Sequence, residues 1–134
     1  MEMVIDFPGG AKVDAHFGPY MVSTDQPPTG GGEGSEPTPF ELFLASIGTC
    51  AGIFVLSFCR KRGISTDGIR IVQRTHPHLV TGLLEKIDLE IQVPPSFPKE
   101  YYTALIRSAE LCKVKKTLEQ PSRFEVVTRE VELV

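Results

Sequence analysis

Apolar and polar residues alternate over short runs in the first 24 residues. "MVIDF" and "KVDAHF" are two such runs, separated by the turn signal "PGG", and "YMVSTD" is a third after Gly18-Pro19. The pattern predicts a meander of three antiparallel strands. Between Pro39 and Arg62 the alternation gives way to a helix with apolar residues on nearly every side: Phe40, Leu42, Phe43, Leu44, Ile47, Ile53, Phe54, Val55, Leu56 and Phe58. "TPFE" reads as its capping box, with Thr38 at the N-cap, Pro39 at N1 and Glu41 at N3. Gly63 is placed to end it, behind the basic Arg60, Lys61 and Arg62.

Two longer strands follow, "GIRIVQRTHPHLVTG" and "LLEKIDLEIQVP", joined near Thr81-Gly82, with Ile87, Leu89, Ile91 and Val93 on one face. A second helix is expected from Lys99, carrying Tyr101, Leu105, Ala109 and Cys112 on one side. "KVKKTLEQ" reads as a further helical turn and "RFEVVTREVEL" as a last strand. The order is βββ-α-ββ-α-β, an α+β architecture. The 134 residues suggest one domain, residues 1–134. A helix apolar all round must be buried all round, and a domain this small has little protein to surround it. A dimer that supplies the missing cover is therefore expected.

Composition changes this picture only by exclusion. Apolar residues make up 41% and charged residues 23%, as in a soluble globular protein. A net charge of -3 gives no electrostatic reason to expect nucleic acid. The acidic N-terminus lacks the features of a signal peptide. The most apolar run, "CAGIFVLSFC", has ten residues, about half a bilayer span, so neither a membrane nor export is expected, and the chain is read as cytoplasmic. Its thiols would then stay reduced unless chemistry oxidises them. Lys12 is the only Lys or Arg before Arg60. Any arginine chemistry must come from Arg60 onward, or from a second subunit.

The loop "QPPTGGGEGSEPT" is rich in Pro and Gly, but its spacing matches neither a P-loop nor a dinucleotide fingerprint. It reads as a mobile loop beside a site. No metal is expected, because "HPH" at His76 and His78 is not zinc spacing, and no other cofactor is indicated.

The three cysteines carry the candidate chemistry. Cys50 and Cys59 lie nine positions apart on one helix, about 13 Å of rise and half a turn, too far for a mutual disulfide. Cys59, beside Phe58, reads as core. Cys50 sits among Ala45, Ser46, Gly48, Thr49, Ala51 and Gly52, small enough to admit either a packed backbone or a substrate. Cys112 is followed by Lys113, Lys115 and Lys116, which would favour thiolate, or it is a core cysteine before a solvated basic stretch. Spacing leaves both residues open.

A Pro/Gly loop, then "TPFELFLASIGTC", then two strands, then a helix with a terminal cysteine together resemble the OsmC/Ohr family of small thiol-dependent peroxidases. The short N-terminus and "PFELFLASIGTC" are most similar to its OsmC-like branch. The resemblance implies an intertwined homodimer with antiparallel sheets and buried central helices. It implies that Cys50 attacks a peroxide and becomes a sulfenic acid, that Cys112 closes a disulfide with it, and that a dithiol reductant restores both. Two features differ from the family's peroxidases. Their glutamate directly after the helix-starting proline is here Phe40, and their activating N-terminal arginine has no counterpart. Glu41 is accounted for by the capping box, and Lys12, His16 or a later arginine would have to stand in for the missing arginine.

Two functions compete on these residues. One is reduction of organic hydroperoxides by Cys50 and Cys112 in a cleft lined by apolar side chains such as Phe40 and Phe54. The other is non-catalytic binding of an apolar or acyl ligand in a dimer-interface cleft.

Overall fold

The computed structural model describes residues 1–132. The chain divides into two compact units, residues 1–49 and residues 50 onward. In the first, strands β1 (Val4–Gly9), β2 (Lys12–Phe17) and β3 (Tyr20–Thr24) form the expected antiparallel meander in that order. Asp6 faces Asp14 and Ala15 faces Val22 across the ladders. The β1–β2 register breaks between Asp6 and Gly9, where Pro8 has no N–H to give the ladder.

The Pro/Gly loop after β3 is not loosely held. Asp25, 1% exposed, lies at its centre. The Asp25 carboxylate accepts the N–H groups of Gln26 (2.7 Å), Glu33 (3.2 Å) and Ser35 (3.1 Å) and the Ser35 hydroxyl (2.8 Å). The Asp25 N–H in turn donates to the Pro37 carbonyl at 3.2 Å. These bonds close the loop on itself and hold the Asp25 carboxyl near pKa 2, with the Ser35 hydroxyl the largest cause and the Ser35 and Gln26 N–H groups next. Gly32 is required here for space: a Cβ at that position would collide with the Gln26 carbonyl.

Helix α1 runs Pro39–Lys61. The capping box forms as read: the Glu41 N–H donates to Thr38 Oγ1 (3.2 Å) and the Thr38 N–H to Glu41 Oε1 (3.0 Å). At the other end Gly63 takes φ 65°, Gly63 N–H reaches the Arg60 carbonyl and Ile64 N–H the Cys59 carbonyl, a Schellman closure.

The second unit contains most of α1's last three turns, the antiparallel hairpin β4 (Arg70–Pro77) and β5 (Leu84–Gln92), and helices α2 (Tyr102–Ala109) and α3 (Lys113–Glu119). Its core is Val55, Phe58 and Cys59 of α1 with Phe97 and Leu105, flanked by Ile71, Ile91, Val93, Tyr101 and Ala109. The alternation of β5 and the one-sided stripe of α2 therefore point where their patterns predict. By length and composition α1 as a whole is long and apolar enough to cross a bilayer, more than the ten-residue run alone implied. Its Val55, Phe58 and Cys59 are packed in a protein core, as in the central helix of a soluble fold.

Two expectations change. The second helix does not run unbroken to Cys112: α2 stops at Ala109, and Cys112, with ψ 121°, begins α3 instead. The tail forms no ladder over residues 121–132, and Leu133, the end of the expected strand, lies outside the described residues. Ile53 of α1 stands 55% exposed within the one chain, which the sequence reading expects to lack the protein to surround the helix.

Candidate active site: a thiol pair

Cys50 sits five residues before Val55, where the α1 part of the core begins, in a stretch kept thin by Gly48, Ala51 and Gly52. A methyl group at Gly52 would already touch the Ile71 side chain at 4.0 Å. This thinness leaves Cys50 partly exposed, whereas Cys59 on the same helix is fully enclosed. Burial pushes the Cys59 thiol up in pKa, which makes it inert.

Cys112 is the N-cap of α3, with Sγ accepting the Lys115 N–H at 3.4 Å. It is 2% exposed. That turn acts on Cys50: the Val114 and Lys113 N–H groups and the Cys112 side chain all draw its pKa down. The Val114 N–H is the strongest influence and the Cys112 thiol the next, and together they hold the Cys50 thiol below its ordinary range despite some desolvation. Cys112 moves the other way. Burial is the main cause, and Cys50 adds to it, while the Lys115 N–H opposes both. The two thiols thus differ in acidity: thiolate is favoured at the accessible sulfur and thiol at the enclosed one.

Neither cysteine is a free spectator, and the lysines after Cys112 do not make it the thiolate. Lys113, Lys115 and Lys116 are exposed, and desolvation governs Cys112. Of the apolar residues expected around the site, Phe54 follows Cys50 by one helical turn and is half-buried. Phe40 lies ten positions before Cys50, about 15 Å of rise, is largely exposed, and contacts Phe43 at 5.6 Å between ring centres. Lys12 and His16 belong to the first unit, where His16 Nε2 meets the Asp6 carboxylate at 3.1 Å. Glu41 is engaged by Thr38, whose N–H chiefly holds its carboxyl below the ordinary range.

The sequence reading missed the Val114 and Lys113 amides. Every residue carries an N–H, so residue identity gives no sign of them; only the restart of a helix at Cys112 could have. It also passed over Asp6, Asp14 and His16 as a group, whose ligand atoms lie within 4.8 Å of one another. Two carboxylates and an imidazole suit a hard or borderline cation, but the His16–Asp6 contact accounts for their approach without one. His76 pairs with Asp88 at 2.7 Å, and His78 Nδ1 accepts the Val80 and Thr81 N–H groups of the hairpin turn.

Residues 32–127 match the family model described as OsmC-like protein. The fold is similar to that of a protein from Psychrobacter arcticus 273-4 assigned to osmotic stress induction and the detoxification response, with TM-score 0.70, 17% identity, and 86% of this chain and 85% of the other covered. It is also similar to the organic hydroperoxide resistance protein OsmC of Legionella pneumophila (TM-score 0.54, 19% identity, 88% and 89% covered). A third similar fold is the organic hydroperoxide resistance protein OhrB of Bacillus subtilis (TM-score 0.51, 16% identity, 90% and 93% covered). No curated protein matches the sequence. The match of the family model over most of its length shows that this chain belongs to the OsmC-like protein family.

Proposed function

We propose that the protein reduces organic hydroperoxides with the Cys50–Cys112 pair. The observation that carries this reading is a partly exposed Cys50, drawn down in pKa by the turn that begins with Cys112, and a buried Cys112 pushed up by its enclosure. The Cys50 thiolate attacks the distal peroxide oxygen, the O–O bond breaks, and an alcohol leaves. Sulfur gives up two electrons and becomes a sulfenic acid. Cys112 as thiolate then attacks the Cys50 sulfur, oxygen departs as water, and a disulfide forms. An external dithiol reduces it by thiol–disulfide exchange. The family's hydroperoxide resistance members support the substrate class, and Phe54 beside Cys50 supports a preference for bulky apolar peroxides.

The working unit in this proposal is a homodimer in the cytoplasm. Ile53 on α1 and Phe124, Val126 and Val131 on the unpaired tail are more than half exposed, and a second copy would cover them. Three free thiols suit a reducing compartment. The same exposed apolar surface favours a second reading, an apolar ligand held without chemistry.

The test is the rate of cumene hydroperoxide consumption in the presence of a dithiol. The wild type turns over and Cys50→Ser does not. Equal rates in the two would remove the peroxidase reading, and a saturable, redox-independent binding of apolar probes would then favour the second.

A further inference from the structure

Strands β1 and β2 bring three ligand-type side chains to one face of the meander. Asp6 lies directly opposite Asp14 across the ladder, so the two side chains share a face. His16 is two residues beyond Asp14 on the same strand, which returns it to that face. One carboxylate oxygen of each aspartate and one ring nitrogen of His16 all lie within 4.8 Å of one another. The His16–Asp6 contact brings two of these groups together by itself, so the case for a ligand rests on Asp14. That residue is only 8% exposed. Among the described residues its carboxylate takes part in no hydrogen bond and no ion pair, and no Lys or Arg pairs with Asp6 either. Its neighbour on β3 is the uncharged Ser23.

A buried carboxylate that faces a second carboxylate without a donor is costly on two counts, desolvation and like-charge repulsion. A cation between them offsets both. No described side-chain oxygen or nitrogen is both sealed from solvent and unpaired, so the unpaired Asp14 oxygens keep a narrow opening through which an ion can enter. The distances suit a small ion. Around a tetrahedral zinc with bonds of about 2.0 Å, neighbouring ligand atoms stand about 3.3 Å apart. His16 Nε2 and Asp6 Oδ2 already stand 3.1 Å apart, and only Asp14 has to close in. We propose that Asp6, Asp14 and His16 form a binding site for one divalent transition-metal ion of the zinc or manganese kind. The ion takes the place of a proton between His16 and Asp6. Two hard oxygens and one borderline nitrogen favour such an ion over calcium or magnesium, which prefer oxygen alone. Three protein ligands leave the remaining coordination positions to water. The ion ties β1, an edge strand, to β2 just before the register between them breaks. The site lies wholly within residues 1–49 and is independent of the peroxidase reading.

Titration of the reduced full-length protein with Mn2+, followed by amide NMR, tests this. Manganese is chosen because carboxylate and imidazole ligands take it, while soft thiolates compete for it poorly. Paramagnetic broadening is expected first over residues 5–7 and 13–17 and saturates as a single site. Zn2+, which binds such ligands more tightly, is expected to displace the manganese and restore those signals. Asp14→Asn keeps the side chain's shape and removes its charge. It is expected to weaken manganese binding by roughly tenfold or more, since even changes behind a metal ligand cost about that much. His16→Gln is expected to do the same from a position whose side chain is 41% exposed, where the fold is not at stake. Broadening that never saturates, or that is spread over the exposed carboxylates of the whole chain, would overturn the proposal. So would a saturable site whose affinity is unchanged in both variants.

Discussion

Asp25 and Cys50 are held by the same device, and the outcomes differ. Each is an acidic group with no cationic side chain among the groups that acidify it, and each is stabilised by N–H groups and one side-chain donor. For Asp25 all the donors lie within ten residues of it, on its own loop. For Cys50 they lie on α3, more than sixty residues away along the chain. A local cradle saturates a carboxylate and makes a structural clasp. A cradle assembled by the fold leaves a polarisable sulfur accessible and makes a candidate reagent. In a chain without an N-terminal arginine, the Val114 N–H, the Cys112 side chain and the Lys113 N–H are what lower the Cys50 thiol.

The sharpest way to break the comparison is to remove the nucleophile. Cys50→Ser is expected to abolish dithiol-dependent hydroperoxide turnover, while Asp25→Ala leaves the reactivity of Cys50 toward iodoacetamide unchanged, since its donors all belong to the second unit. A shifted alkylation midpoint in Asp25→Ala would show that the two cradles are not independent. The next effect is on stability. Gly32→Ala places a methyl group against the Gln26 carbonyl, a backbone atom that cannot simply move aside, and is expected to destabilise by about 2 kcal/mol in urea titrations. In the same loop Asp25→Ala is expected to open residues 26–36 to limited proteolysis.

The pH dependence of the clasp has a definite sign. The Asp25 value falls from an ordinary 3.8 to about 2 on folding. Its contribution is therefore fully present above pH 3.8 and is lost as pH falls through about 2. A carboxyl titration by NMR should place the Asp25 midpoint near 2, and one near 4 would mean that the clasp is open. The smallest effect belongs to Lys113→Pro. Cys112 already has the extended backbone that precedes proline, and Lys113 is the first residue of α3, so the fold accepts the change. The least of the influences that lower Cys50 is removed, and the alkylation midpoint of Cys50 should rise.

Local signals carried most of the fold. Thr38, Glu41 and Gly63 end α1 where capping chemistry requires, and the alternation in β5 and the stripe in α2 face the core they predict. The break at Cys112 was not legible because apolar spacing runs smoothly through it, and a thiol is an uncommon cap. The unpaired tail illustrates a different limit: a strand pattern states that a segment can pair, not which chain pairs with it. At the site, Cys50 and Cys112 stood out by residue type and by family resemblance. The division of acidity between them depends on tertiary placement and on backbone N–H groups, which no residue pattern encodes.

The most direct test of the central claim is a non-reducing peptide map after one equivalent of cumene hydroperoxide. The account predicts rapid formation of a Cys50–Cys112 disulfide with Cys59 left as a free thiol. All three thiols intact after exposure would contradict it, and would leave the small residues around Cys50 as helix packing alone.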